Sequence, residues 1–416
     1  MSGVNPAAAA AHKSSANDLA AANGAAAMTP LELRASFSLA SIFALRMLGL
    51  FLVLPVFALE AARYPGGDDP ARIGLAMGIY GLTQGILQIP FGMASDRFGR
   101  KRVILLGLVV FALGSVLAAL ATSLDMLILG RALQGAGAVS AAVTALLADQ
   151  TRDEVRTKAM ALVGSTIGLM FALSLILAPL LVVVMGLSGL FALTACLTLA
   201  GMAVVVWWVP QEPARKDARR GGLADVLRDA ALLRLDVGVF MLHAVQLAMW
   251  VAVPALLVQA GLPKAQHWQV YLPAVLASFV IMGVTLFPLE RRGYLRAVFL
   301  ASIGLILLVQ LGLLWLGETP ALWQLAVLLV AFFCGFNVLE ATQPSMASRF
   351  APPHARRAAL GVYNTLQSIG FFAGGSAGGW LLKHQGHHGL FWACMVGMGV
   401  WLAVAWPMRE SPPRRP

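Results

Sequence analysis

Charge is the scarcest property of this sequence. Only 12% of its 416 residues are Asp, Glu, Lys or Arg, about half the share of ordinary soluble domains. By contrast 59% are apolar or aromatic, and the mean hydropathy is +0.79. A chain so poor in polar residues cannot cover the outside of a water-soluble globule, so its outside faces hydrocarbon. Cysteine is scarce too: Cys196, Cys334 and Cys394 each stand alone in apolar runs, which excludes a disulfide framework and a thiolate metal site. No glycine-rich phosphate loop of the P-loop type occurs, so ATP is not expected as an energy source. Short runs that alternate apolar and polar residues are also missing, which argues against a membrane barrel.

What the chain does have is long apolar runs, each about the length a helix needs to cross a bilayer. Twelve are legible: 36–60, 72–94, 103–122, 125–148, 159–184, 187–209, 236–258, 268–289, 297–316, 322–348, 358–382 and 389–407. The fifth and sixth are divided only by Met185, Gly186 and their neighbours. The expected fold class is therefore an all-α membrane protein of twelve transmembrane helices in two pseudo-symmetric six-helix bundles, 36–209 and 236–407. Residues 1–35 read as a disordered tail, with Met28 an alternative start. Residues 210–235 read as a cytoplasmic linker holding a short amphipathic helix near 223–233, and 408–416 as a second tail.

The net charge of +11 does not call for nucleic acid. Counted by alternate loops, 24 Lys and Arg fall on the side of both termini and 4 on the other, namely Arg63, Arg72, Lys264 and Lys383. The positive-inside rule then places both termini in the cytoplasm. The halves echo each other at an offset of roughly 200: Pro55 with Pro254, Gly135 with Gly335, and Asp96-Arg97-Phe98-Gly99 with Glu290-Arg291-Arg292-Gly293. Two such halves around a central path are a transporter architecture.

Two segments carry specific patterns. Gly92-Met93-Ala94-Ser95-Asp96-Arg97-Phe98-Gly99-Arg100-Lys101 lies between the second and third runs, and Arg131-Ala132-Leu133-Gln134-Gly135-Ala136-Gly137 lies inside the fourth. The first resembles, at every fixed position, the Gly-x-x-x-Asp-Arg-x-Gly-Arg-Lys loop of the major facilitator superfamily, and the second resembles that family's Arg-x-x-Gln-Gly-x-Gly element. Leu45-Arg46-Met47-Leu48-Gly49, Tyr80-Gly81-Leu82-Thr83-Gln84, Gln88-Ile89-Pro90-Phe91-Gly92 and Gly335-Phe336-Asn337-Val338-Leu339-Glu340-Ala341 extend the likeness to its drug:proton antiporter branch, over nearly all of 28–407.

The resemblance implies a gating group of Gly92, Asp96, Arg97, Gly99, Arg100, Lys101 and Asp149. Asp96 is expected at the N-terminus of the eleventh helix near Ala358, and Asp149 on Arg97 or Arg100. The fifth run departs from the antiporter pattern Gly-Pro-x-x-Gly-Gly, reading Ala178-Pro179-Leu180-Leu181-Val182-Val183. Some relatives carry a soluble domain after the twelfth helix; the sequence ends at Pro416 and none is expected here.

Ionisable residues inside spans are costly and mark function. Arg46, His243 and Glu340 are the candidates for proton coupling, with Glu340 the one acid well inside a run. Burial penalises its charged form, so it can take and give a proton as water access alternates. Cavity candidates are Tyr80, Gln84 and Gln88 at helical spacing, Arg131, Asn337, and Tyr363, Asn364 and Gln367 within one turn. Two patterns are set aside: Gly374-Gly375-Ser376-Ala377-Gly378 mimics a hydrolase elbow inside an apolar helix, and His384, His387 and His388 do not make a metal site. The expected function is proton-coupled export of amphiphilic small molecules from the bacterial inner membrane, by a monomer without enzymatic activity, cofactor, metal or nucleic-acid partner. Its partners are substrate, protons and lipid. Uptake symport of sugars or organic acids, and a sensor or lipid-handling scaffold, stand as alternatives.

Overall fold

The computed structural model describes residues 28–212, 222–316, 320–352 and 354–408. In it α1 spans Pro30–Ala61, α2 Pro70–Phe98, α3 Arg100–Ala119 and α4 Leu124–Asp149. A 55-residue helix, Asp153–Trp207, holds α5 (153–185) and α6 (187–207), parted at Gly186. After a six-residue helix, Leu223–Arg228, come α7 Ala230–Gln259, α8 Trp268–Arg291, α9 Leu295–Leu314 and α10 Leu322–Phe350. Arg356–Ala405 holds α11 (356–385) and α12 (387–405), parted at Gly386. Nine described helices are apolar and long enough to cross a membrane. Two of these are the bent pairs, and α2 completes twelve crossings, its hydropathy lowered by Gln84, Gln88 and its glycines.

The helix starts follow from local chemistry. Thr29 and Glu32 form a capping box with Pro30 in the first turn, Asp69 caps α2 ahead of Pro70, Ser123 caps α4, and Asp229 caps α7. Two boundaries differ from the expectation. The capping box starts α1 at Pro30, so residues 30–35 of the supposed tail are helical. The Asp229 cap ends the linker helix at Arg228 and starts α7 at Ala230, six residues before the expected start at Asp236. Residues 1–27, 213–221 and 409–416, which hold the rest of both tails and the linker's basic run, lie outside the described residues.

The repeat is sharper in the backbone than in the residues. Gly186 and Gly386, 200 positions apart, have φ of 66° and 65° and nearly the same ψ, so the same turn joins α5 to α6 and α11 to α12. That conformation is open only to glycine. A methyl group at Gly386 would touch nothing within 4 Å, so Gly386→Ala isolates the backbone cost. The variant should lose about 1–3 kcal/mol, read as a lower melting temperature in detergent; an unchanged melting curve would show that the turn is not strained.

Candidate functional site

The two bundles meet along α2 and α11. Gly74 lies against Gly375 and Gly379, Gly78 against Phe372, Gly81 against Ser368, and Gly85 against Ile369 and Thr365. Side chains larger than hydrogen would part the helices along this row. Beyond Gly85 the contact ends: a methyl group on Gly92 would meet only Ala141 of its own bundle, at 3.7 Å, and one on Gly361 nothing within 4 Å. The bundles are therefore closed on the side away from the termini, called here the far side, and apart on the terminal side.

A ring cluster crosses the middle. Phe171 on α5 packs edge-on to Phe51 on α1, with centroids 5.2 Å apart, and reaches Phe333 and Phe336 on α10 at 6.1 and 6.4 Å. Glu340 follows Phe336 by one turn toward the terminal side, with its side chain 40% exposed. Phe171, Phe333 and Phe336 are themselves buried, so the rings pack the bundles together, and Glu340 beside them is the more exposed group. Phe51 and Phe171 were not foreseen, because a phenylalanine in an apolar run carries no pattern that distinguishes a cavity from packing.

Glu340 does not stand alone. His243 on α7 puts Nε2 3.3 Å from Glu340 Oε2, and the amide of Gln367 on α11 lies 2.8 Å from that same nitrogen and 3.5 Å from Glu340 Oε1. On its other side the ring is fixed: Nδ1 is 2.9 Å from the carbonyl of Val239, which only accepts, so Nδ1 carries a hydrogen. Nε2 then either accepts from Gln367 or holds a proton facing Glu340. Three helices therefore bring an imidazole, a carboxyl and an amide together, and the Glu340 Oε2 that faces His243 makes no hydrogen bond. Phe336 and Phe371 flank the ring, at 6.1 and 4.9 Å.

Arg46, the third proton candidate, is elsewhere. It is 2% exposed inside the N-terminal bundle, donating to Ser140 Oγ at 3.0 Å, Tyr80 Oη at 2.9 Å and Gln84 Oε1 at 3.4 Å, over the ring of Phe111. Gln84 also donates to Ser368 Oγ on α11 at 3.1 Å, next in the chain to Gln367, so the two networks adjoin across the bundle boundary. Arg131 is buried deeper, donating to Gln134 and the Met77 carbonyl and stacked on Tyr80 and Phe57.

The remaining cavity candidates divide. Asn337 donates to Ser278 on α8 at 2.7 Å and ties two helices. Gln88 is 1% exposed with neither amide atom bonded, and the Tyr363 hydroxyl is buried and unbonded. Asn364 is half-buried, its carbonyl accepting from Ser368.

In the gating loop Arg100 is the hub. It bonds Asp96 Oδ1 at 2.6 Å, Ser95 Oγ at 2.7 Å and Asp149 Oδ2 at 3.1 Å. Asp149 thus meets Arg100, and Arg97 lies over the ring of Phe98. Asp96 is half-exposed beside Arg100 and does not reach α11, because the bundles are apart there. Gly99 makes the turn into α3 at φ 106°. The open N-terminus of α3 is capped from the linker: Glu212 accepts from the backbone of Arg100 at 3.1 Å and Lys101 at 2.5 Å, and Lys101 Nζ donates to Val209. Glu32 binds Arg152 through both carboxylate oxygens, tying α1 to the α4–α5 loop. Both glutamates lay in segments read as tail or linker and were missed.

Residues 39–375 match the Major Facilitator Superfamily. The chain belongs to that family. It is 43% identical to the inner membrane transport protein YajR of Escherichia coli, over 92% of this chain and 85% of the relative. It is 27% identical to the multidrug resistance protein MdtH of Klebsiella pneumoniae, over 86% and 90%. Among solved structures, an auto-inhibited POT family peptide transporter aligns with a TM-score of 0.71 at 14% identity, covering 92% of this chain and 99% of that one. The chain is thus a membrane-spanning transporter of the superfamily and not an enzyme.

Ion pairs join the two bundles at the closed face. Lys264 bonds Glu60, and Lys383 bonds Asp69 at 2.7 Å, each joining one bundle to the other. Arg72 pairs with Asp125 and Arg63 with Glu60 within the first bundle, so all four far-side basic residues are used. Lys383 and the backbone N–H of Ala71 hold the Asp69 carboxyl below its ordinary value. A lowered acid contributes its stability above the ordinary value, near 4, and loses it as pH falls through the lower folded one. The Asp69–Lys383 pair should therefore be insensitive to mild acid. Lys383→Glu should weaken far-side closure by about 1 kcal/mol at most, up to about a fivefold shift in population, and Asp69→Lys in the same chain should restore it. Spin-label distances between the far ends of α2 and α11 check this; an unaltered distribution in Lys383→Glu would mean that the pair holds nothing.

Proposed function

We propose that the protein is a proton-coupled secondary active transporter that exports amphiphilic small molecules by alternating access, from an inner membrane with both termini in the cytoplasm. The observation that carries this reading is the meeting of His243, Glu340 and Gln367 from three helices, with the Glu340 side chain partly exposed where the bundles part. The excess of Lys and Arg on the terminal side supports the orientation, and with it the arrangement described above is inward-facing. The name of the similar MdtH supports multidrug export.

On this reading an amphiphile enters from the cytoplasmic side and lies beside Phe51 with its polar or cationic end at Glu340. A cation there favours the carboxylate, so substrate and proton compete for one site. The substrate-loaded bundles rock, the far-side ion pairs part, and the terminal side closes. Asp96, free of α11 while the cleft is open, then meets the N-terminus of that helix, where a carboxylate is favoured. Outside, a proton replaces the substrate on Glu340 and the cycle reverses. A proton entering down 100 mV supplies about 2.3 kcal/mol.

The test is dissipation of a respiration-driven pH gradient in inverted membrane vesicles on adding ethidium. Wild type should dissipate the gradient, and Glu340→Gln should fall to the level of vesicles lacking the protein. Dissipation that Glu340→Gln leaves intact would remove Glu340 from coupling, and a response to sugars or carboxylates alone would replace export with uptake.

A further inference from the structure

Gln367 is the one member of the central group that cannot itself take up a proton. Yet both of its side-chain contacts there go to atoms that a proton would also take. The amide nitrogen is 2.8 Å from His243 Nε2 and, at longer range, 3.5 Å from Glu340 Oε1. Because His243 Nδ1 keeps its hydrogen on the Val239 carbonyl at 2.9 Å, Nε2 of the neutral ring has a single lone pair to offer. An amide N–H and an incoming proton cannot both use it.

Two exclusive arrangements follow. With the imidazole neutral, the amide nitrogen lies between two acceptors, as in this structure. With a proton on Nε2, the ring N–H faces Glu340 Oε2, 3.3 Å away, and two hydrogens would meet at the amide. The amide must then turn its oxygen inward, which takes its nitrogen off Glu340, or leave. Hydrogen bonds given to the proton-free form of a group favour that form, so Gln367 competes with the proton at both acceptors.

The fold holds Gln367 to this task. The next residue, Ser368, accepts from Gln84 of the other bundle at 3.1 Å and lies against Gly81 and Gly85 at the end of the close helix contact. The α11 backbone is thereby pinned, and the amide responds by rotating, without withdrawal of the helix. The titratable and charged groups around it are few. Glu340 comes from α10, His243 from α7 with Asp236 two turns earlier, and Tyr363 from one turn earlier on α11. From the other bundle comes the neutral Gln84, with Arg46 of α1 behind it at 3.4 Å. Phe336 and Phe371 close the sides of the imidazole.

We propose that Gln367 is a positioning residue of the proton site: by occupying His243 Nε2 it keeps the imidazole neutral, leaves the proton to Glu340, and loosens that proton so that a cationic substrate displaces it. The inference rests on the proton-coupled reading and names the group that tunes it.

The affinity of the purified protein in detergent for tetraphenylphosphonium, measured by calorimetry from acid to alkaline pH, tests this. Wild-type affinity should rise with pH and level off once the site has lost its proton. Gln367→Met, of similar length but without the amide, should move the midpoint of that rise up by about one pH unit, the worth of one hydrogen bond. Below the midpoint it should bind about tenfold more weakly than wild type, and on the alkaline plateau equally well. A midpoint unmoved or lowered would overturn the role of Gln367, as would a lower plateau with the midpoint in place, which is the mark of a purely structural part. Wild-type affinity indifferent to pH would overturn proton coupling itself. Should Gln367→Met bind at no pH, Gln367→Leu decides on the same midpoint, and loss of binding by both variants in folded protein would make Gln367 a substrate ligand and overturn the proposal.

Discussion

An ionised group inside hydrocarbon must find a counter-charge, a set of hydrogen bonds or a proton, and the interior of this chain is arranged around that requirement. Arg131 is met by Gln134, a backbone carbonyl and two aromatic faces. Arg46 is met by Ser140, Tyr80 and Gln84. Both cations are fixed within the N-terminal bundle. The acids of the C-terminal bundle are met differently: Glu340 lies beside an imidazole whose other nitrogen is locked to Val239, and Asp236 pairs with no cation among the described residues.

The same requirement shapes the two faces. On the far side, inter-bundle pairs satisfy Glu60, Asp69, Lys264 and Lys383 while the glycines of α2 and α11 bring the backbones together. On the terminal side Arg100 gathers Asp96 and Asp149, and Glu212 caps α3, so the gating loop is satisfied without help from the other bundle. The open cleft therefore leaves no orphaned charge at its mouth, and closing it exchanges one satisfied set for another.

Much of this was legible in the sequence because a bilayer imposes length and polarity so strictly. Twelve runs, the division near residue 186 and the isolated Glu340 and His243 follow from hydropathy and from intramembrane charge, while the gating loop was read from its resemblance to the superfamily motif. What escaped has a common cause. Glu32 and Glu212 sit where a run meets a polar segment, and hydropathy cannot decide whether such a residue belongs to span or loop. The cap at Thr29 decides it locally for Glu32, carrying it into α1. The partnership of His243 with Glu340 joins residues 97 positions apart on two helices, a juxtaposition set by packing and not by any spacing. The ring cluster was hidden for a different reason, since phenylalanine looks the same in a core and in a cavity.

The account stands or falls on whether substrate and proton compete at Glu340. The most direct measurement is the proton released into weakly buffered solution when tetraphenylphosphonium binds the purified protein in detergent. Wild type should release protons as it binds, and Glu340→Gln should bind the cation and release none. Binding by wild type with no proton released would contradict the account.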